Sequence, residues 1–278
     1  MKIKCWGVRG SIPTSGSDTT RYGGSTSCLV VTENDQLLVL DGGSGMQQLN
    51  FGSNIAYKRI DILLTHFHLD HLQGLGFFKP LFDPAMEVHI WGPTSSTHSL
   101  HSRLSRYLSP PLFPVLIRDL PCKLHLHEIE NSDFTIGSFN ISSRYVIHPG
   151  PTVGFRIRNQ KSSFTYIPDH EPALGCDGMI NENKWVSGFD IANHTDLLYH
   201  DAQYTAEEYK IRIGWGHSSM LDTLKFAAFT GAKKLLLAHH DPGHTDDQLD
   251  VFYSQIQQSG SYPFNYEMAR EGMEIELP

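Results

Sequence analysis

The 278-residue chain has little cysteine, and Cys5, Cys28, Cys122 and Cys176 are dispersed with no C-x-x-C pair. A zinc ribbon or thioredoxin-type motif is therefore excluded, and buried free thiols are expected. Long hydrophobic runs are also missing. Stretches such as Leu235 to Ala238 fall far short of the ~18 apolar residues of a membrane span. The opening Met1-Lys2-Ile3-Lys4-Cys5-Trp6-Gly7 meets charge and glycine before the apolar segment of about 7–15 residues of a signal peptide can form. A soluble, cytoplasmic protein with no membrane contact is expected. Cationic excess is absent too: 22 Lys+Arg stand against 30 Asp+Glu, a formal charge of -8. Affinity for phosphate backbones comes mostly from Lys/Arg neutralisation, so long nucleic acid is not expected as the main partner. A small anionic substrate at a local cationic site is compatible with the same balance. No low-complexity run or composition break marks a linker, and 40% apolar with 19% charged residues describes a globular chain. One domain spanning 1–278 is expected.

Histidine is plentiful, with 16 copies, and it is the commonest metal ligand. Its placement follows the pattern of strands. Lys2 to Trp6 alternates, and Cys28 to Val31 and Leu37 to Leu40 are short apolar runs, the latter ending in Asp41-Gly42-Gly43. Ile60 to Thr65 reads as a strand entering His66, Leu72 to Phe78 as a short helix or turn, and Val88 to Pro93 as another strand. Residues 94–115 change character: Ser95 to Leu108 is polar and helical in pattern, and Pro110, Pro111 and Pro114 impose irregular backbone. This excursion suits a lid or a contact with a second subunit. Strands resume at Phe134 to Val146, Thr152 to Ile157 and Phe164 to Ile167, followed by helical patterns at Asp222 to Thr230 and Asp246 to Gln258 around a strand, Lys234 to Ala238. Strands then helix, twice over, imply an α/β chain with two sheets packed face to face and helices outside.

The segment Thr65-His66-Phe67-His68-Leu69-Asp70-His71 carries the chemistry. At a strand end, residues i and i+2 face one side, so His66 and His68 can share a metal. Asp70 and His71, where the chain turns into the next helix, can aim at a second cation. Six residues cannot complete two coordination spheres. His148, Asp169 and either His239 or His240 each close an apolar run, and all can converge on one rim of a sandwich.

The motif His66-x-His68-x-Asp70-His71 with His148, Asp169 and His239 resembles the metallo-β-lactamase fold hydrolases. That resemblance implies an αββα sandwich of two mixed sheets flanked by helices, with a dinuclear site. The Asp70-His71 ending, and the lack of a cysteine ligand near position 169, place the chain nearer the phosphodiesterase and glyoxalase branches than the lactamases. It is most similar to a branch holding ribonuclease Z, the carbon-phosphorus lyase cyclic phosphodiesterase and the cyclic-nucleotide-degrading anti-Pycsar proteins. The matching segments include Val8-Arg9-Gly10-Ser11-Ile12-Pro13, Leu40-Asp41-Gly42-Gly43, Tyr166-Ile167-Pro168-Asp169-His170-Glu171, His200-Asp201-Ala202-Gln203-Tyr204, Gly214-Trp215-Gly216-His217-Ser218 and His239-His240-Asp241-Pro242. Carried over by position, His66, His68 and His148 hold one metal, Asp70, His71 and His239 the other, and Asp169 bridges. His240 is the register alternative to His239. Zinc suits these donors, with manganese or iron compatible.

The resemblance also implies a proton donor in His217, oriented by Asp201, and so favours phosphodiester hydrolysis by a metal-bridged hydroxide. The expected substrate is a small cyclic phosphodiester, foremost a cyclic nucleotide, because no basic, Gly/Pro-rich arm for transfer RNA is present. A hydrolase of a carbon-centred electrophile (lactone, thioester or isothiocyanate) is the alternative, and a non-cleaving nucleotide-binding protein a third. Tyr22, Ser25, Thr26 and Asp41 are placed at the border of the site, and Arg103, Arg106, Tyr107 and Phe113 over a nucleotide base. Departures at Ser25, Gly43, Phe67 and Leu69 are assigned to pocket walls. His170, His194, His200 and His244 are expected behind the ligands. His125 and His127, on one face of a strand, and His98 and His101, on one face of a helix, read as surface positions ahead of further metal sites. Members of this branch are often dimers, so a homodimer is expected.

Overall fold

The structure is a computed structural model that describes residues 1–49, 57–172, 174 and 182–278. Cys5, Cys28 and Cys122 are buried free thiols, whereas Cys176 lies outside the described residues. Fourteen strands among those residues form two sheets. The first contains β1 (Lys2–Gly7), β2 (Cys28–Glu33), β3 (Gln36–Leu40), β4 (Arg59–Leu63), β5 (Glu87–Pro93) and β6 (Lys123–Ile129). The second contains β7 (Ser132–Ile136), β8 (Phe139–Tyr145), β9 (Val153–Arg158), β10 (Ser163–Ile167), β11 (Leu197–Asp201), β12 (Lys234–Ala238) and β13 (Asn265–Met268), while β14 (Glu274–Glu276) returns to the first. The orders are β14-β1-β2-β3-β4-β5-β6 and β13-β12-β11-β10-β9-β8-β7. In each sheet antiparallel pairing gives way to parallel pairing, at β3–β4 and at β10–β11. The expected strand over Phe134 to Val146 folds back on itself at Gly137, whose φ of 56° suits glycine.

Side-chain alternation builds three apolar layers. Leu236 enters the layer between the sheets with Ile3, Leu38, Phe155, Tyr166 and Tyr199. Its neighbours Leu235 and Leu237 face outward, against Met220, Leu224, Phe226 and Ile256. These come from α4 (Met220–Thr230) and α5 (Asp246–Ser259), joined on this side by the short α2 (Phe189–Ala192) and α3 (Ala206–Lys210). On the opposite side Ile60, Ile62, Val88 and Ile90 pack beneath Leu100 and Leu104 of α1 (Leu100–Tyr107). The αββα order follows, because both faces of both sheets are apolar and need cover. Truncating Leu236 to Ala would cost about 2–5 kcal/mol. No helix among the described residues is long and apolar enough to cross a membrane.

The helices end where their sequence dictates. Ser99 caps α1 by accepting from the backbone of Ser102, so α1 is shorter than Ser95 to Leu108, and His98 lies outside it rather than sharing a helical face with His101. Thr245 and Gln248 form a reciprocal capping box at the start of α5. Within residues 94–115, Leu100, Leu104, Leu108 and Phe113 enter the core. The side chains expected over a nucleotide base are engaged within the chain instead. Arg103 lies over the Phe67 ring and bonds the Pro93 carbonyl, Tyr107 donates to the Gln73 carbonyl, and Arg106 meets His98.

Candidate metal centre

The chemistry-bearing side chains collect where parallel strands end, the edge at which open α/β sheets place their ligands. Asp41 follows β3, Asp169 follows β10, Asp201 closes β11 and His239 follows β12. β4 ends at Leu63, so His66 and His68 sit on irregular chain and strand alternation does not pair them. Their rings still meet edge to face, 4.5 Å apart, because His68 keeps an extended backbone before a one-turn 3-10 helix, Leu69–His71. That turn, rather than a longer helix, swings Asp70 and His71 away from His66 and His68.

Two groups result, and each could hold a metal ion. His66, His68, His148 and Asp169 offer one ligand atom each within 4.8 Å of one another, and so do Asp70, His71, Asp169 and His239. Asp169 belongs to both: Oδ2 lies 3.6 Å from Nε2 of His66 and of His148, and Oδ1 lies 3.1 Å from Nε2 of His71 and 3.4 Å from Nδ1 of His239. His239 and His240 point to different places. His240 turns its Nε2 to the Ala269 carbonyl at 2.9 Å, away from both groups.

The donor set fits divalent cations on its own terms. His66 Nε2, His71 Nε2, His239 Nε2 and Asp169 Oδ1 are buried without hydrogen-bond partners, a costly arrangement unless something binds them. The ring tautomers suit that role. His148 donates Nδ1–H to the Gly216 carbonyl at 2.7 Å, and His71 donates Nδ1–H to Asp41 at 2.8 Å, so each ring presents its Nε2 to its group. Burial holds His66 well below the usual imidazole pKa and brings His148 to about 4, so both rings are neutral. Burial acts on His71 in the same direction, but Asp169, Asp70 and Asp41 outweigh it and raise this ring well above the usual range. Asp169 is buried as well, yet His239, His71 and His66 hold it ionised.

Asp41 is the residue whose part the sequence conceals. It is fully buried and takes hydrogen bonds from the Thr65 backbone at 2.7 Å, the Thr65 hydroxyl at 2.9 Å and the Tyr166 hydroxyl at 2.9 Å, besides His71. Of the four residues expected at the border, it alone bonds a side chain of the two groups, His71. Tyr22 bonds Asp250, Ser25 bonds Glu271 and Thr26 bonds Ser44. The Val8-to-Pro13 segment also gains a physical meaning. Arg9 is fully buried and donates to the carbonyls of Gly23 and His244. Gly10 leaves room for His239, whose ring would lie 2.6 Å from a Cβ there, and Ser11 donates its N–H to Asp70 Oδ2 at 2.9 Å. Gly43 is no mere wall, since a Cβ would lie 2.3 Å from the Asp70 carbonyl oxygen.

His217 stands beside both groups. Its Nδ1 is 2.7 Å from Asp201 Oδ2, and its ring stacks on His239 and meets His148 edge-on, each 5.0 Å away. Burial lowers its pKa, but Asp201, Asp169 and Asp70 overcome this and lift it to about 9. Asp201 is held by the backbone N–H of His170 and of Gln203, both at 3.0 Å. His170 in turn meets His200 at 2.9 Å, so these two lie behind the His217–Asp201 pair. His244 pairs with Glu208 and His194 bonds the Thr230 carbonyl through its backbone, so neither does.

Comparison with known proteins agrees with this architecture. The family model of a beta-lactamase superfamily domain matches residues 38–240. Ribonuclease Z of Myxococcus xanthus is 24% identical, over 91% of this chain and 92% of that protein. Ribonuclease Z of Staphylococcus carnosus is 23% identical over 95% of each. Among solved structures, the metallo-beta-lactamase fold protein YhfI from Bacillus subtilis superposes with a TM-score of 0.70 at 20% identity, covering 99% of both chains. The short form of human tRNase Z gives 0.69 at 19% over 100% of both. A diphosphatase of the PhnP family gives 0.67 at 15%, over 99% of this chain and 96% of that one.

Proposed function

The chain belongs to the beta-lactamase superfamily, as a metal-dependent hydrolase of the metallo-β-lactamase fold, and from that premise we propose that it hydrolyses a small cyclic phosphodiester, foremost a cyclic nucleotide. The observation that carries this reading is the His217–Asp201 pair, 2.7 Å apart and stacked against the ligand groups. A phosphodiester loses an alkoxide, which needs a proton, whereas a thioester loses a thiolate that does not.

In this reading His66, His68 and His148 would hold one divalent ion, Asp70, His71 and His239 the other, and Asp169 would serve both. Such a pair, when bound, lowers the pKa of a water and offsets charge on a phosphoryl group. With two divalent ions bound, their charge would exceed that of Asp70 and Asp169, and the spot would attract an anion in spite of the overall charge of -8. Asp201 keeps His217 Nδ1–H in place and directs the opposite nitrogen, Nε2, outward. His217, protonated through that carboxylate, gives its Nε2 proton to the departing oxygen. Zinc is the ion the donors suit best, and a homodimer in the cytoplasm completes the reading.

The near full-length match to ribonuclease Z proteins favours a second reading, cleavage of an RNA phosphodiester by the same groups. The shortage of Lys and Arg weighs against it. The test offers the metal-loaded chain 2′,3′- and 3′,5′-cyclic mononucleotides, cyclic dinucleotides, a transfer RNA precursor, a lactone and a thioester, and identifies the products. Ring-opening of a cyclic nucleotide as the fastest reaction is expected. Faster cleavage of the precursor installs the second reading, and faster cleavage of the lactone or thioester, or recovery of every phosphodiester unchanged, overturns the proposal.

A further inference from the structure

At the start of β5 and β6, the strand ends opposite to His66, the parallel register sets His89 beside His125 and Trp91 beside His127. Positions 87, 89 and 91 alternate onto one face of β5, as do 125 and 127 on β6. The outcome is a second concentration of imidazole. His125 stacks on His89 with centroids 4.5 Å apart, and His127 stacks on both His89, at 5.0 Å, and Trp91, at 3.9 Å. Glu87 reaches the same place, with Oε1 2.7 Å from His89 Nε2. One ligand atom from each of Glu87, His89 and His125 falls within 4.8 Å of the other two.

We propose that Glu87, His89 and His125 form a third metal site, separate from the dinuclear centre, for a borderline divalent transition ion of the Zn2+, Ni2+ or Cu2+ type. Two imidazoles and a carboxylate are the donors such ions select, whereas Mg2+ and Ca2+ take oxygen. The ring most in need of orientation has it: His89 is 93% buried, counted from its 7% exposure, and its Nδ1 lies 2.8 Å from His127 Nε2. Without an ion His89 donates Nε2–H to Glu87 at 2.7 Å; a bound ion would take that proton's place, with the ring then donating Nδ1–H to His127. That is the arrangement by which metal-binding histidines are fixed. Asp61 nearby is no fourth donor, since Arg59 grips it through two bonds of 2.8 Å and the Trp91 indole N–H donates to it at 2.9 Å. His125 is exposed and Glu87 partly so, which leaves the remaining coordination positions to solvent and makes the ion exchangeable.

The test titrates the tag-free full chain, loaded with no more than two equivalents of Zn2+ and freed of exchangeable ions by gel filtration, with Ni2+, following heat and tryptophan emission together. One further saturable equivalent is expected, with part of the emission quenched through Trp91. His125→Ala weakens this equivalent at least about 10-fold and His127→Ala about 10–100-fold, while the hydrolytic rate and the two tightly held ions stay as in the parent. Trp91→Phe removes most of the quenching and keeps the heat. Absence of a third equivalent, or its survival at parental affinity in His125→Ala, overturns the proposal. Neither result bears on the dinuclear centre, whose ions are counted separately.

Discussion

The two sheets furnish the centre in opposite ways. The first delivers His66, His68, Asp70 and His71 from six consecutive residues, all through one irregular loop and one 3-10 turn after β4. The second delivers His148, Asp169, Asp201, His217 and His239 singly, from the ends of different elements. The dense half is specified by local chain geometry. In the scattered half Asp169, Asp201 and His239 meet because β10, β11 and β12 are parallel neighbours in register, whereas His148 arrives after β8 and His217 from the chain that leads into α4. The candidate ligands are divided between the sheets, whereas the proposed proton donor and its carboxylate come wholly from the second.

The largest blow to this division is Asp169→Ala, since Asp169 is shared between the two groups. Loss of both ions and hydrolysis at background are expected, checked by metal analysis and product formation. Loss of only one ion would deny it the shared place. Next is His217→Ala, which removes the donor and spares the ligands. The turnover rate on a cyclic nucleotide should fall about 10²–10⁴-fold with both ions retained, and far less on a nitrophenyl phosphodiester, whose leaving group needs no proton. Equal losses on the two substrates would make His217 a packing residue.

Asp41→Asn attacks the dense half from behind, by weakening the anchor of His71. Metal affinity should drop about 10–100-fold, and stability by about 1–3 kcal/mol because the bonds from Thr65 and Tyr166 are disturbed. Equilibrium dialysis and denaturant unfolding measure the two separately. The smallest effect is expected of His240→Gln, one residue from a ligand and facing away. Metal content should not change. Burial depresses the His240 pKa to about 3, below its unfolded value of about 6.5. Its neutral form therefore contributes stability that is full above that unfolded value and is lost as pH falls toward 3, because the unfolded chain takes up the proton first. The variant should lose less stability across that window, as read by thermal unfolding at stepped pH.

Legibility in the sequence follows the same divide. The motif at 66–71 and the strand-ending His148, Asp169 and His239 are visible as residue types at apolar run ends, and with them the αββα order. Asp41 looks like one more Asp-Gly-Gly turn, since nothing local reports that Thr65, His71 and Tyr166 will all bond to it. Gly10 and Gly43 are equally mute, because their need comes from His239 and Asp70 pressing on them from elsewhere. Arg103, Tyr107 and Phe113 have the composition of a ligand cover, but each finds a partner within the chain. The imidazole group at β5 and β6 needs the strand register before His89 can be set beside His125.

The most direct measurement of the central claim is the mass of the product formed from a cyclic nucleotide in ¹⁸O-water by the metal-loaded chain. Attack of water at phosphorus, with the proton from His217 leaving on the sugar oxygen, predicts one ¹⁸O atom per turnover, bound to phosphorus in a ring-opened nucleoside monophosphate. Product carrying no label on phosphorus, or cyclic nucleotide recovered intact with both ions bound, would contradict it.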